Sequence, residues 1–177
     1  TLKMIFLKAK NKDLPHTLRI IEEAQAYLAT QHVEQWQNGY PNKNVILKDL
    51  ENKESYIVKS KDSIQIATAM FSTRTEPTYT NIEGQWLTKE NATYGVIHRM
   101  AVSEKSRGTG IAKFIFNQCE SLLKQNRIKS MRIDTHEDNL GMQALLKKLG
   151  YVFCGVIYLE NNDKRLAFEK LIPKVLT

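Results

Sequence analysis

At 177 residues, 42% apolar and 25% charged, the chain has the size and composition of one soluble globular domain with a real core. The net charge of +7 favours anionic partners, but the lysines are spread without a block of five or six, which argues against a nucleic-acid footprint. Two cysteines, Cys119 and Cys154, argue against a disulfide framework, and no His/Cys/carboxylate spacing suggests a metal.

The opening TLKMIFLKAK has four apolar residues in a row before Lys8. That is too few for a signal region or a membrane span, so a cytoplasmic protein with no membrane partner is expected. Met4–Lys8 reads as a short strand. Leu14–His32 reads as a helix, with Leu18, Ile21, Ala24 and Leu28 spaced three and four apart. WQNGYPN, from Trp36 to Asn42, breaks it, and Asn44–Lys53 forms a second helix. SYIVKS and IQIATAMFS, split by Lys61-Asp62-Ser63, read as a hairpin. Thr73–Thr93 is polar and without clear period, long enough to suggest a binding loop.

TYGVIHRMAV follows as a strong strand, in which a period of two puts His98 on one face with Val96, Met100 and Val102. After two glycines, Ile111, Phe114, Ile115, Cys119, Leu122 and Leu123 mark one face of a helix. Cys119 therefore reads as a buried thiol. SMRIDTH is a further strand, and Leu140–Leu149 a helix closed by Gly150, a residue type suited to a left-handed cap. YVFCGVIYL and KRLAFEKLI pair across residues 160–163, with a bulge expected at Cys154 before Gly155. The pattern is α/β of a mixed kind: a single domain over residues 1–177, with strand pairs at both ends and a βαβ unit in the middle.

The stretch VSEKSRGTGIAKF, Val102 to Phe114, places Gly108 and Gly110 between a strand and a helix. Backbone amides gathered there, at the positive end of a helix dipole, suit phosphate oxygens, and Lys105 and Arg107 add charge. The mononucleotide loop, with four residues between its glycines, does not fit. The dinucleotide fingerprint fits at Gly108, Gly110 and Asp134 but meets Lys113 at its third glycine position, and too little chain follows for a doubly wound sheet.

From Tyr94 onward the sequence resembles the GCN5-related N-acetyltransferases, the GNAT superfamily. The resemblance lies in the strand VIHRMAV, in Lys105-Ser106-Arg107-Gly108-Thr109-Gly110 against the family's Gln/Arg-x-x-Gly-x-Gly/Ala, and in the Asn-initiated NLGMQALLKKLGY. EQWQNGYPN, GQWL and RIDTHEDN further resemble a subgroup of small bacterial members. Lys105 departs from the usual Gln or Arg.

The resemblance implies a single GNAT fold: a central mixed, mostly antiparallel sheet with splayed parallel middle strands and helices on both faces. It implies acetyl transfer from acetyl-CoA, as co-substrate, to a primary amine of a small molecule or peptide. The amine attacks directly and a tetrahedral intermediate forms. Arg107, Gly108, Thr109, Gly110, Ile111 and Ala112 would hold the pyrophosphate with Lys105 beside them. Met100, Ala101 and Val102 would pair with the pantetheine arm, Asn139 and Met142 would meet it, and an N–H near Met100 would face the thioester oxygen. His98 and His136 are the candidate bases, against readings as a core histidine and a loop or cap residue. Trp36, Tyr40 and Tyr79 lie in loops on the acceptor side. Many relatives carry a Tyr, as acid for the thiolate, where this chain has Leu146. An acyl-CoA-binding relative with little activity is the alternative, and a monomer or homodimer is expected.

Overall fold

The computed structural model describes residues 3–174. Its strands are β1 (Ile5–Lys8), β2 (Ser55–Lys59), β3 (Gln65–Ser72), β4 (Glu83–Gly84), β5 (Gly95–Val102), β6 (Ser130–Thr135), β7 (Val152–Tyr158) and β8 (Lys164–Leu171). Its helices are α1 (Leu14–Thr30), α2 (Lys43–Glu51), α3 (Ile111–Gln125) and α4 (Leu140–Lys148). The strands form one mixed sheet in the order β1-β2-β3-β5-β6-β8-β7-β4. β5 and β6 are parallel, through Gly95↔Met131 and Val96↔Arg132. The pairs β1–β2, β2–β3, β6–β8, β7–β8 and β4–β7 are antiparallel. Two compact units divide the chain: Thr1–Phe71 with His98–Gln118, and Ser72–Ile97 with Cys119–Thr177.

In the first unit, the apolar stripe of α1 buries Ile20 and Ile21 against Ile46 of α2 and Ala101 of β5, ringed by Leu14, Leu18, Ala24, Trp36 and Leu50. Thr17, on the same face of α1, accepts a hydrogen bond from Gln65 at 2.8 Å, so the buried amide nitrogen has a partner. The Asn42 side chain caps α2 by accepting from the Val45 N–H. α1 and α2 both stop two residues before the pattern alone suggests. His32 and Lys53 take left-handed backbones (φ 56° each), and the N–H groups of Val33 and Glu54 return to the carbonyls of Leu28 and Asp49. Such a reversal satisfies carbonyls the helix leaves open.

In the second unit, Tyr79, Tyr94, Val96, Ile157 and Ala167 form the core, with Ile82, Trp86 and Leu159 packed around it. Residues 73–93 hold more order than their polarity suggests. They contain a turn of 3-10 helix at Pro77–Tyr79 and the strand β4. β4 crosses β7 at Gly84 and Gly155, where a Cβ would lie 2.1 and 2.2 Å from a facing carbonyl oxygen. The bulge expected at Cys154 is present as a register shift between Phe153 and Gly155.

A buried carboxylate holds the same segment from below. Glu169 of β8 has no exposed surface. It accepts from the Leu87 and Thr88 N–H groups, from the Thr88 and Ser130 hydroxyls, and from Arg132 Nε at 3.2 Å. The Arg132 guanidinium lies between two rings, 4.3 Å from that of Trp86 and 4.1 Å from that of Tyr94. Burial would raise the Glu169 pKa, but the Ser130 and Thr88 hydroxyls and Arg132 outweigh it and hold the group below the ordinary Glu range.

Replacing Glu169 by Gln leaves Arg132 buried without its counter-charge, which should cost about 3–5 kcal/mol in urea unfolding. The pH dependence follows from the lowered pKa. The contribution of Glu169 is complete above the pH at which an unfolded Glu titrates, roughly 4.3. It drains as pH falls through the folded-state value, because the unfolded chain takes up the proton first. Unfolding curves between neutral and acid pH should therefore lose a smaller share of stability in the Gln variant than in the wild type.

Candidate active site

In the first unit, β5 ends at Val102 and a 3-10 turn over Glu104–Ser106 leads into the glycines. Gly108 and Gly110 have φ of 77° and 82°, the left-handed region where a Cβ is penalised. A Cβ on either would meet nothing within 4 Å. The glycines thus serve the path of the backbone and leave open space before it. The Phe114 N–H donates to the Gly110 carbonyl at 3.1 Å, so the amides of Ile111, Ala112 and Lys113 have no carbonyl within α3. No acidic residue lies in that first turn, and the helix dipole is unopposed there.

The turn is docked on α1. The Glu104 N–H donates to Glu23 at 2.7 Å, and the Arg107 guanidinium lies 4.0 Å above the Tyr27 ring. Thr109 closes the turn by donating to the Ser106 carbonyl at 2.6 Å. Arg107 Nη2 is buried without a hydrogen-bond partner among the described residues, a donor that a bound anion would satisfy. Lys105 is exposed. Amides without an intrahelical carbonyl, left-handed glycines and a guanidinium donor without a partner among the described residues fit a pyrophosphate.

Within β5, Arg99 takes φ 51°. A left-handed residue inside a strand departs from the extended pleat and breaks the alternation of faces that depends on it. The period of two that puts His98 on one face with Met100 and Val102 therefore fails across Arg99. The Arg99 side chain is held on two sides. Nε and Nη2 donate to the two oxygens of Asp49 at 2.7 and 2.6 Å, and Nη1 donates to the Tyr40 hydroxyl at 2.8 Å. Burial opposes the charge on Arg99, but its hydrogen bonds to Asp49 and the pull of Tyr40 more than offset it and raise its pKa. His98, Met100 and Val102 are half-buried and Ala101 is buried. Trp36 packs half-buried against the α1–α2 core, whereas Tyr40 keeps 38% of its surface exposed.

In the second unit, Tyr79 is a correction to the reading as an acceptor-side loop residue. Its side chain is 1% exposed within the core, and its hydroxyl donates to Asp134 at 2.6 Å. Burial and then the Asp134 charge push its pKa well above the usual tyrosine value. Asp134 stands near the end of β6, just before His136, whose side chain is 15% exposed. His136 Nδ1 accepts the Asp138 N–H at 3.1 Å, so the neutral ring carries its proton on Nε2. In that state the ring is a donor, and a base role requires it to give up the Asp138 contact. Asn139 accepts the Met142 N–H at 3.1 Å as the N-cap of α4, and Met142 is half-buried. Leu146 is fully buried, so the place of the usual tyrosine is filled by core.

The pairs Arg99–Asp49 and Tyr79–Asp134 are not among the expected site contacts. The first leaves a trace in sequence. Asp49 stands beside Ile46 and Leu50 on the buried stripe of α2, and Arg99 interrupts an apolar strand. A charge in each place calls for a partner.

Among the described residues no helix is long and apolar enough to cross a membrane. The model of the acetyltransferase (GNAT) family matches residues 21–151. A GNAT-family acetyltransferase structure from Streptococcus agalactiae 2603 is 34% identical with a TM-score of 0.86, covering 98% of this chain and 100% of that chain. One from Listeria monocytogenes 4b F2365 is 16% identical, with a TM-score of 0.77, covering 96% and 95% of the two chains. The ribosomal-protein-S18-alanine N-acetyltransferase of Escherichia coli is 10% identical, with a TM-score of 0.67, covering 98% and 97%. The last two show the fold alone. No curated protein matches the chain. With the family model spanning well over half the sequence and the streptococcal structure matching nearly all of it, the chain belongs to the GNAT acetyltransferase family.

Proposed function

We propose that the chain is an N-acetyltransferase that moves the acetyl group of acetyl-CoA to a primary amine of a small molecule or peptide in the cytoplasm. One observation carries the reading. Two left-handed glycines open α3, whose first amides have no carbonyl within the helix, beside a guanidinium nitrogen that has no hydrogen-bond partner among the described residues. The amides from Arg107 to Ala112 would bind the pyrophosphate, with Lys105 and Arg107 adding charge. The backbone of Met100–Val102 would pair with the pantetheine arm, and Asn139 and Met142 are proposed as further contacts to it. The Met100 N–H would donate to the thioester oxygen, where negative charge grows as the amine attacks.

The attacking nitrogen must arrive neutral, so its ammonium proton has to leave. His98 is the proposed base, since His136 presents Nε2–H. His136 is better suited to donate a hydrogen bond to developing negative charge. The new C–N bond replaces the C–S bond; the nitrogen sheds its second proton to water as the tetrahedral intermediate collapses, and the departing thiolate takes up a proton from water. Trp36 and Tyr40 are the proposed acceptor-side residues. A second reading, an acyl-CoA-binding relative with little turnover, draws on the buried Leu146, which supplies no acid.

Acetyl-CoA at about a hundred times its Kd should stabilise the fold by about 2.7 kcal/mol and raise Tm by roughly 5–10 °C. No shift at millimolar ligand in a thermal melt refutes both readings. Thiol release across a panel of primary amines separates them, with turnover on at least one amine expected of the enzyme. On such an amine, His98→Ala should lower kcat by about 10²–10⁴, with the deficit shrinking as rising pH deprotonates the amine in solution. His136→Ala should cost less. Equal losses in the two variants would remove His98 as the base.

A further inference from the structure

We propose that Asp49 is a positioning residue for acyl transfer: its two-pronged grip on Arg99 holds the left-handed turn of β5 that aims the Met100 N–H. The inference rests on the acetyltransferase reading above and assigns a role within that site.

Arg99 has φ 51°, a conformation in which the Cβ of an L-residue crowds the following carbonyl. Within a strand such a residue persists only where its surroundings over-determine it. Here they do. Arg99 and Asp49 are 12% and 7% exposed, joined by two short parallel hydrogen bonds, and Tyr40 takes a third bond from the same guanidinium. A bidentate contact fixes orientation as well as distance. The helix that carries Asp49 is itself fixed to β5. Ile46, one turn earlier on α2, belongs to the same core cluster as Ala101, two residues beyond Arg99. α2 therefore holds the strand by an ionic contact at Arg99 itself and shares an apolar cluster with it two residues further on, at Ala101.

The consequence is geometric. The peptide plane between residues 99 and 100 turns with the torsions of Arg99, so the direction of the Met100 N–H is set where Asp49 holds the chain. Stability alone is a poor reason for the pair, because a buried ion pair can often be replaced by apolar residues at no loss.

The test measures calorimetric Kd values for acetyl-CoA and for coenzyme A, whose ratio reports the acetyl end. The proteins are wild type, Asp49→Asn and the double variants Asp49→Asn/Arg99→Gly and Asp49→Asn/Arg99→Ala, with circular dichroism confirming folding. Both doubles remove both charges and differ only in how well residue 99 accepts a left-handed backbone. They decide the matter even if Asp49→Asn does not fold. The Gly double should keep the wild-type preference for acetyl-CoA, while the Ala double, and a folded Asp49→Asn, should lose about three- to tenfold of it, the worth of one hydrogen bond. Coenzyme A affinity should stay within about twofold throughout, since the turn at Gly108 and Gly110 is untouched. Equal ratios in the two doubles, an unchanged ratio in Asp49→Asn, or a wild type with no preference for the acetyl form overturns the proposal. A wild type that binds neither ligand overturns the acetyltransferase reading itself, and with it the role given to Asp49.

Discussion

Glu169 is a carboxylate with no access to water, and a buried charge is tolerated only if donors surround it. Its donors come from β6, through Ser130 and Arg132, and from residues 87 and 88 of the long polar segment. Satisfying one side chain thus ties a loop to two strands. Arg132 needs the same loop for a different reason, since Trp86 supplies one of the two ring faces that replace its hydration. The fixing continues from there: Trp86 Nε1 donates to the Tyr79 carbonyl at 3.0 Å, and the Tyr79 hydroxyl reaches Asp134. A polar segment with little regular structure is in this way held residue by residue as far as the end of β6.

The first unit meets a different constraint, the left-handed backbone, and meets it in two ways. At Gly108 and Gly110 the chain takes that conformation by having no Cβ. The open space around both positions shows that passage of the backbone is all the turn demands. At Arg99 a full side chain takes it, and the cost is offset by three charge-assisted hydrogen bonds. The first solution suits a surface that must present amides to a ligand. The second suits a strand interior that must hold one peptide plane in one direction.

What the sequence made legible follows the same division. Most strand and helix periods, the glycine turn and the bulge at Cys154 were visible, because each depends on residue types close together in the chain. The ends of α1 and α2 were missed by about two residues. The left-handed residues that close them are His32 and Lys53, and neither type advertises that role as Gly150 does. The order in residues 73–93 was missed because its partners lie about 80 residues away, at Glu169. Tyr79 was read as an acceptor-side loop residue for the same reason, its partner Asp134 being 55 residues distant. His98 was assigned its face by a period that Arg99 breaks, and no local pattern announces a left-handed arginine.

Leu146 connects these points to the chemistry. Where many relatives supply a hydroxyl to the departing sulfur, this chain has a core side chain with no exposed surface. A coenzyme A thiolate can leave near neutral pH without an acid, so the reaction is not barred. In the proposed acetyl transfer, the work of lowering the barrier would then shift toward the carbonyl oxygen, whose developing charge needs a donor aimed in advance. A donor on the main chain cannot swing into place as a side chain can. Its direction is fixed by the torsions beside it, and for Met100 those include the left-handed Arg99. The less an enzyme of this family relies on an acid, the more its rate should depend on the residues that hold that single peptide plane, here Arg99 with Asp49 and Tyr40.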